Sequence, residues 1–452
     1  MRSRPVLVAA SLALLAGAVP AAAETLFGAL ATSYATNPEL NAARAELRAV
    51  DEGVSQAVSA FRPNVQIDAS VTTTRSHNPF FADQTDRATA GISFEQPIFR
   101  GFRAVNALDA TRTTVLLYRE RLRGLEQQVL LGGVIAYADV MRDRAIRGLY
   151  AQNVAVLGDA LAAAEIRMNA GEGTRTDVAE AEALLRAAEG DAAGVDAVLV
   201  GSIASYVATI GTDPDNLAAA APIDDLIPTG VELAVEIALS NHPSILGARY
   251  NVQIAELEVE IAEGDLLPTA SLFGELSATH NAGGGFSWEN EAVIGGRLTM
   301  PIFTGGRESS EVREAKNRLR QRELLAMQQE AIVRAQVITA FGQMAGAIGQ
   351  LRAAEAQVAA MQRALEAIEE EVSAGQATQL DIYQVRRSLL EARVRLVAAQ
   401  RDRVVASYSI AAAVGLLTAE ALGLPVEVYD VYAHYEAVDT RWFGLNPPTP
   451  QP

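Results

Sequence analysis

The sequence predicts a mainly α-helical protein with a small β-barrel portion, built from one unit that occurs twice. Three observations support this prediction. Residues 97–103 (PIFRGFR) recur as residues 301–307 (PIFTGGR); four short segments alternate between apolar and polar side chains; and two long segments contain no proline. Alternation of period two is typical of strands, whereas a long segment without proline favours a helix.

The repeat extends over most of the chain. Pro63 matches Pro268 at an offset of 205 residues; from Pro97 onward the offset is 204, and Asp177 matches Asp381. The matched positions are mostly Pro, Gly and Asp, so a shared alanine-rich composition does not explain them. An internal repeat sets the architecture. We therefore divide the chain after its leader into two repeats and a remainder that we place at mid-height: residues 24–230, 231–414 and 415–452.

Each repeat is predicted to hold a helix, two strands, a very long helix and a returning helix. Asn37 suits the N-cap of the first helix and Pro38 its first turn. In the first repeat the predicted helices and strands are helices 38–61, 103–170 and 174–210 and strands 65–74 and 88–97. In the second repeat they are helices 243–266, 307–374 and 379–414 and strands 269–279 and 291–300.

The long helices set the dimensions. Residues 103–170 would span about 100 Å at about 1.5 Å per residue. The two shorter helices of the same repeat have nearly the same combined length, so they could stack end to end and run antiparallel to the long helix. The remaining segments, 211–231 and 415–452, would then lie at mid-height, where the short helices meet.

The N-terminus predicts export. Arg2 and Arg4 precede an apolar run, and Ala21-Ala22-Ala23 follows it, so residues 1–23 are interpreted as a secretory signal peptide. The alternative, an N-terminal membrane anchor, would have a short apolar run for a span of about 20 residues. No later stretch reaches about 18 unbroken apolar residues, so no transmembrane helix is predicted.

Composition excludes several classes of site. The net charge is −18, which argues against a nucleic-acid partner, since phosphate binding needs a basic surface. The chain has no cysteine, which excludes disulfides, thiol nucleophiles and a lipid on an N-terminal cysteine. The four histidines are scattered, and no HExxH, GxSxG or phosphate-loop lysine occurs. The sequence therefore predicts neither an enzyme nor a cofactor or metal site.

The four predicted strands have the length that crosses a bilayer when tilted. One face of each is apolar and the other carries polar side chains, as expected around a water-filled pore. Four strands cannot close a barrel, and open edges in lipid cost several kcal/mol per unpaired backbone group. Identical copies must therefore complete one barrel, and two, three or four copies would give eight, twelve or sixteen strands.

The repeated Pro-Gly segments are predicted to join strand and helix. Pro97 and Pro301 lack an N–H and would end a strand's hydrogen-bond ladder, whereas glycine permits the turn that follows. Phe99 and Phe303 would lie either at a membrane interface or in a packed core. The predicted joints are Pro63, Pro97, Gly101, Pro268, Pro301 and Gly305.

With these features the sequence resembles the TolC family of outer-membrane efflux proteins. The resemblance rests on the signal peptide, the doubled PIF-x-G-x-R layout and the turns MNAGEGTRTDV and VSAGQATQLDI, and it covers residues 25–445. Residues 429–445 also resemble members tied to type I protein secretion. The resemblance implies a homotrimer with a twelve-stranded barrel in outer-membrane lipid and a helical tunnel across the periplasm. It also implies a periplasmic adaptor and an inner-membrane ABC or RND transporter.

The resemblance places both helix–helix turns at the periplasmic end of the tunnel. Asp381 matches a family aspartate that lines the constriction, and Asp177 matches one that ties the first coil to its neighbour. Three copies of Asp381 around an axis would repel one another and favour a multivalent cation. The alternative role for both aspartates is N-capping after a turn.

The chain departs from the family at other gate positions. Val372 and Ala377 stand where the family has a gate tyrosine and arginine, and Gln384 replaces a second ring aspartate. Glu371 and its acidic neighbours could supply other charge near the tip. We therefore assign the gate to Asp177, Asp381, Gln384 and Glu371.

The two turns are also predicted to dock the adaptor. Gly171 and Gly375 would allow close approach of a partner's helical hairpin, and Gly173 and Thr378 belong to the same surface. The alternative is that these glycines simply end helices. The predicted function is a passive export duct in the outer membrane, with most of the chain in the periplasm; the alternative is a periplasmic coiled-coil adaptor or structural protein.

Overall fold

The computed structural model describes residues 23–77, 82–281 and 287–448. The predicted signal peptide lies outside these residues, apart from Ala23, as do the tips of the two loops that connect strands. The first repeat contains α1 (Leu26–Thr36), α2 (Pro38–Ser59), β1 (Asn64–His77), β2 (Ala82–Arg100), α3 (Arg103–Asn169) and α4 (Arg175–Ile210). The second contains α5 (Val231–Asn241), α6 (Pro243–Gly264), β3 (Thr269–Asn281), β4 (Ser287–Thr299), α7 (Arg307–Ser373) and α8 (Gln379–Val414). A short helix, α9 (Ala433–Val438), follows.

The duplicated order of helix, two strands, long helix and returning helix is the predicted one, and each repeat has one additional short helix at its start. These helices, α1 and α5, were missed by the sequence prediction. Each ends just short of the residue that precedes a proline, because the proline ring disfavours helical backbone at that residue. Asn37 and His242 occupy this position with ψ angles of 122° and 128°, and each caps the helix that follows.

The four strands form one antiparallel sheet in the order β1-β2-β3-β4. Directly paired residues project to the same face. Two successive rows on one face are Val65, Phe94, Gly274 and Ile294, then Ile67, Ile92, Leu276 and Ala292. The rows that alternate with these lie on the other face. They include Gln66, Ser93 and Glu275, and then Asp68, Ser277 and Glu291. The sheet therefore has one apolar and one largely polar face.

One predicted joint is wrong in its detail. Pro97 does not end β2, because the ladder continues to Arg100 with a register shift between Pro97 and Phe99. A bulge accommodates a residue that lacks an N–H, so a proline there interrupts the ladder without terminating it. Pro301, in contrast, lies beyond the end of β4 at Thr299, and Gly101 and Gly305 have positive φ angles of 62° and 72°.

The helices form a single layer, two repeats wide. We call the end that carries the strands the sheet end, and the end with the turns at Gly171 and Gly375 the tip. In the sheet half the neighbours follow the order α2, α3, α6, α7; in the tip half the order is α4, α3, α8, α7. On one side of α3, α2 lies near the sheet end and α4 near the tip. On its other side, α6 lies near the sheet end and α8 near the tip.

The main core lies at mid-height. It is formed by α1, α2 and α3 with the segments after α4 and α8, and the largest buried side chains include Tyr137, Tyr206 and Tyr408. The Tyr137 hydroxyl lies 2.7 Å from the carbonyl oxygen of Glu24 and 2.6 Å from that of Ala218. These contacts fasten the start of the described chain and residues 211–231 to α3.

Among the described residues, two helices are long and apolar enough to span a membrane by length and composition, although the sequence predicted none. They are α4 and α7, and most of each apolar window is exposed in the single chain. The prediction considered only unbroken apolar runs, whereas these windows mix apolar residues with small and polar ones. Both helices lie at the lateral edges of the layer.

Candidate functional site

The two turns at the tip have the same construction. Gly171 and Gly375 have positive φ angles of 82° and 74°, a conformation that L side chains rarely adopt. The Glu172 N–H donates to the Arg167 carbonyl at 2.9 Å, and the Gln376 N–H donates to the Glu371 carbonyl at 2.8 Å. These bonds close the ends of α3 and α7, so both glycines have a helix-ending role.

Gly173, which corresponds to Ala377 in the second turn, is more closely surrounded. Its φ angle is ordinary, but an added Cβ would lie 3.1 Å from the backbone nitrogen of Met168. Gly171 and Gly375, in contrast, have no heavy atom within 4 Å of an added Cβ. The space around these two glycines is therefore open in the described chain, which leaves room for a partner to approach the turns.

Asp177 and Asp381 each complete a capping box at the start of a returning helix. The Thr174 N–H donates to Asp177 Oδ2 at 2.8 Å, and the Asp177 N–H donates to Thr174 Oγ1 at 3.2 Å. Thr378 and Asp381 repeat this arrangement, with N–H to Oδ2 at 2.9 Å and N–H to Oγ1 at 3.4 Å. The threonines, not the aspartates, are the N-cap residues.

The capping boxes keep both aspartates ionised. The hydrogen bonds from Thr378 lower the pKa of Asp381, and those from Thr174 lower the pKa of Asp177. Only Oδ2 of each carboxylate takes part in its box. A capping role is thus present at both positions, and it leaves the second oxygen available for contacts outside the chain.

The other predicted gate and docking residues are accessible at the tip. Glu371 contributes its backbone carbonyl to the α7 end, while its side chain is exposed. Gln384 is exposed one turn into α8, and Thr378 is exposed at the turn. The structure therefore brings the two turns and these side chains to one end of the layer, as expected for a tip surface.

An ion pair at the tip was missed by the sequence prediction. Arg386 on α8 donates to Glu369 on α7 at 2.9 Å, 17 residues apart in sequence. At the matching offset of 204, the first repeat has Glu182 and Glu165. The second hairpin is therefore held by opposite charges where the first carries like charges. A residue-by-residue comparison of the repeats would have found this difference.

A buried polar cluster at mid-height was missed as well. His434 Nδ1 on α9 lies 3.2 Å from Asp51 Oδ2 on α2, and both side chains are almost fully buried. Burial raises the pKa of Asp51, while His434 opposes that shift. The Arg119 guanidinium lies 4.1 Å from the ring centroid of Tyr432. These contacts fasten α9 to α2 and α3, and no local pattern in the sequence indicates them.

The lateral edges of the layer have no partner within the described chain. β1 and β4 each pair on one side only, and every residue of β1 is exposed. The edge that carries β1 continues into α2 and α4, and the edge that carries β4 continues into α7. The exposed apolar side chains on α4 and α7 include Val198, Val200, Leu324, Met327 and Ile338.

The described ranges contain no group of three or more His, Cys, Asp or Glu side chains that could hold a metal ion.

Comparison with known proteins identifies the family. The sequence profile of the family "Outer membrane efflux protein" matches residues 30–202 and 234–416, one match in each repeat. The chain is 38% identical over 447 residues to outer membrane efflux protein BepC of Brucella suis biovar 1, covering 98% of this chain and 97% of that protein. It is 26% identical over 324 residues to outer membrane protein TolC of Vibrio cholerae, covering 69% of this chain and 72% of that protein.

A solved structure has the same fold. The Campylobacter jejuni CmeC outer membrane channel superposes with a TM-score of 0.74 at 16% identity, covering 92% of this chain and 89% of that one. The family and these relatives are outer-membrane proteins, which decides against the alternative of a periplasmic adaptor. The chain therefore belongs to the outer membrane efflux protein family, to which TolC belongs, and it is an outer-membrane channel that works in efflux or secretion.

Proposed function

We propose that three copies of the chain form one continuous duct, the exit of a tripartite efflux or type I secretion system. The observation that carries this proposal is the pair of unpartnered lateral edges. β1 and β4 run in opposite directions, so β4 of one copy can pair with β1 of the next in the antiparallel manner of the rest of the sheet. Each copy then adds four strands, and three copies give a closed barrel of twelve.

The helical edges support the same closure. The apolar windows of α4 and α7 are mostly exposed in one chain, and such a surface along a helix of 36 or 67 residues is costly in water. Contact between α7 of one copy and α2 and α4 of the next would cover both edges. The high hydropathy of α4 and α7 then reflects packing between subunits instead of insertion into a bilayer.

The repeat predicts which residues meet across this contact. Within one chain, Arg401 on α8 binds Asp139 on α3 at 2.8 Å. At the offset of 204, Arg401 corresponds to Ala197 on α4, and Asp139 corresponds to Gln343 on α7. If α4 packs on the neighbouring α7 as α8 packs on α3, Ala197 and Gln343 of adjacent copies face each other.

Cross-linking tests the closure directly, since the chain has no cysteine of its own. The variant A197C/Q343C, treated in membranes with a short bis-maleimide, should yield covalent dimers and trimers that unfold in detergent without separating. The variant D139C/R401C is the matched control, because its two thiols lie within one chain and should give monomers only. A ladder beyond trimers, or an absence of intermolecular products, would contradict the proposal.

We infer that the tip forms the periplasmic gate and docks the adaptor of an inner-membrane ABC or RND transporter. In a trimer, three copies of Asp381 would surround the axis, each ionised and with one oxygen outside its capping box. The open space at Gly171 and Gly375 would receive the adaptor's hairpins. Energy for export would come from the transporter.

Cargo can be assigned by deletion of the gene. If the channel serves type I secretion, as residues 429–445 suggest, the mutant should retain a protein inside the cell that the wild type releases. If it serves efflux, the mutant should become more susceptible to detergents and dyes. Complementation by the intact gene controls both measurements.

A further inference from the structure

The last described segment runs along α2 toward the strands. His434 contacts Asp51, and farther along the chain the Arg441 carbonyl accepts from Ser55 Oγ at 3.2 Å and from Arg62 Nη1 at 3.0 Å. From Asp51 to Ser59, where α2 ends, is about 12 Å of helix at about 1.5 Å per residue. β1 begins at Asn64. The last described segment therefore runs from mid-height toward the level where the strands start.

This segment ends in exposed apolar side chains. Trp442 is 60% exposed, Phe443 is 86% exposed and Leu445 is fully exposed. The two rings lie 6.3 Å apart, and the Arg62 guanidinium lies 4.2 Å from the Trp442 ring centroid. Adjacent exposed aromatic rings on a short segment are unfavourable in water, so their surroundings require an explanation.

The earlier aromatic residues of the same segment also lie beside guanidinium groups. The Tyr429 ring lies 5.2 Å from the Arg44 guanidinium, and the Tyr432 and Tyr435 rings lie near Arg119. Tyr432 is 55% exposed, so the end of the segment is distinguished by Phe443 and Leu445, which are more exposed than any of these rings.

The two tryptophans of the chain bracket the strands. Trp288 lies near the opposite end of β4, beside His280 at a ring distance of 4.8 Å, and is 73% exposed. The 13 residues of β4 extend about 43 Å at about 3.3 Å per residue, which a tilt of about 45° reduces to about 30 Å across the membrane. That is the thickness of a bilayer's hydrocarbon core, at whose two boundaries tryptophan is favoured.

Other exposed apolar residues lie at the same level as Trp442. Ile98, Ile302 and Phe303 follow or end the strands at the sheet-to-helix joints and are exposed in the described chain. Exposed apolar side chains are therefore present at the joints as well as on the apolar face of the sheet. Lipid that covers the sheet would extend to the tail as well.

We propose that residues 441–445 form an anchor in the periplasmic leaflet of the outer membrane. Trp442, Phe443 and Leu445 insert at the boundary between acyl chains and headgroups, and Arg62 binds a phospholipid phosphate while its guanidinium stacks on Trp442. The anchor fixes the height of the barrel in the membrane and holds residues 441–445 against the end of α2. It depends neither on the number of subunits nor on the adaptor.

Tryptophan fluorescence tests this proposal, because substitution of one tryptophan leaves a single reporter. The W288F variant is reconstituted into vesicles of phosphatidylethanolamine and phosphatidylglycerol, with and without lipids brominated close to the headgroup. Trp442 emission should be blue-shifted, quenched about twofold or more by the brominated lipid, and little affected by iodide in the buffer. Quenching by iodide instead, or protection from both quenchers by a neighbouring subunit, would overturn the anchor.

A second reporter on the same segment provides the matched control. Tyr432 is 55% exposed, much like Trp442, but lies at mid-height. In the variant W288F/W442F/Y432W, iodide should quench the emission and brominated lipid should not. A further variant, W288F/F443S/L445S, should shift Trp442 emission to the red and reduce quenching by lipid about twofold, while heat-resistant oligomers on gels stay unchanged. Unchanged lipid quenching there would also contradict the anchor.

Discussion

The two repeats have the same order of elements but very different surroundings. α3 and α7 both contain 67 residues, yet α3 has a buried stripe from Val115 to Asp143, whereas α7 has few buried positions. The difference follows from position in the layer, since α3 has neighbours on both sides and α7 has them on one. A repeated helix therefore keeps apolar residues where the single chain leaves them exposed, and these residues indicate a surface that another copy covers.

The caps of the two repeats differ in chemistry. Asn37 Oδ1 accepts from the N–H groups of Glu39 and Leu40 at 2.9 and 3.1 Å, and the matching His242 accepts from the Ser244 N–H through Nδ1 at 3.2 Å. An imidazole can do this only when it is neutral, whereas an amide does so at any pH. One repeat thus has a cap that titrates, and the other does not.

The largest expected effect separates a core position from an edge position. Val134 on α3 is fully buried, and its repeat partner Ile338 on α7 is 51% exposed. V134D would bury an unpaired carboxylate and should cost at least about 4 kcal/mol, so the chain should fail to fold. I338D should keep the helical circular dichroism of the detergent-solubilised chain but abolish its oligomers on size exclusion.

Similar behaviour of these two variants would remove the distinction between core and edge. The matched control is T339D on the same helix beside Ile338, which keeps the added charge but moves it about 100° around the helix axis. Assembly of I338D into normal oligomers would show that this face of α7 is not covered by another subunit.

The next largest expected effect is a loss of export without a loss of assembly. Replacement of Gly171 and Gly375 together by leucine should abolish export, because a bulky side chain fills the open space at each turn and the positive φ adds about 1–2 kcal/mol of strain per site. Oligomers should still form in the membrane. Export is measured in a strain that lacks the native channel.

The conservative pair G171N/G375N serves as the control, since asparagine tolerates positive φ better than other side chains. If strain decides, this variant should retain more export than the leucine pair. If space decides, it should lose export to a similar extent, because the two side chains have the same number of heavy atoms. Normal export from the leucine variant would exclude the turns as the docking surface.

A smaller effect distinguishes the two capping-box aspartates. D381N keeps an oxygen acceptor for Thr378 but removes the charge, so block of single channels by hexamminecobalt should weaken about tenfold if Asp381 surrounds the axis. D177N makes the same change in the twin box and should leave the block within about twofold of wild type. Equal effects of the two substitutions would remove Asp381 from the constriction.

The smallest effect is on stability as a function of pH. Burial, with a contribution from the Arg123 charge, lowers the pKa of His242 to about 4, against an ordinary value of 6.5. Between these values the unfolded chain binds a proton that the folded chain excludes, so stability should rise as pH increases from about 4 to 6.5. Above that window His242 contributes no pH dependence.

Exchange of the two caps tests this assignment. H242N should remove that part of the slope of the urea midpoint against pH, since the first repeat shows that asparagine performs the same capping. N37H should add a pH-dependent component in the first repeat. An unchanged slope in H242N would show that other groups control stability in this pH window.

The sequence prediction succeeded where the physics is local. The duplicated order of elements was predicted from the alternation of apolar and polar residues, from the proline-free segments and from the positions of Gly and Pro. The long helices end within one residue of positions 170 and 374, where the sequence placed their ends. It failed where two signals compete at one residue. Pro97 suggested the end of a strand, but pairing with β3 on the far side continues β2 through a bulge to Arg100.

At the tip too, local features could be seen in the sequence, whereas contacts between distant residues could not. The glycines and the Thr-Asp spacing were visible in the sequence, although the aspartates were interpreted without their threonine partners. The Glu369–Arg386 pair was visible only through comparison with Glu165 and Glu182. The contact between Asp51 and His434 joins residues 383 apart, and no periodicity encodes it.

The sequence by itself determined the elements, because backbone preferences and side-chain periodicity act over a few residues. It also determined that four strands are too few to close a barrel. Only the tertiary structure decided the order of neighbours, which changes from α2, α3, α6, α7 near the sheet to α4, α3, α8, α7 near the tip. Only it decided which helices form the edges and that the segment around Arg441 lies against the end of α2, because these depend on contacts between residues hundreds of positions apart.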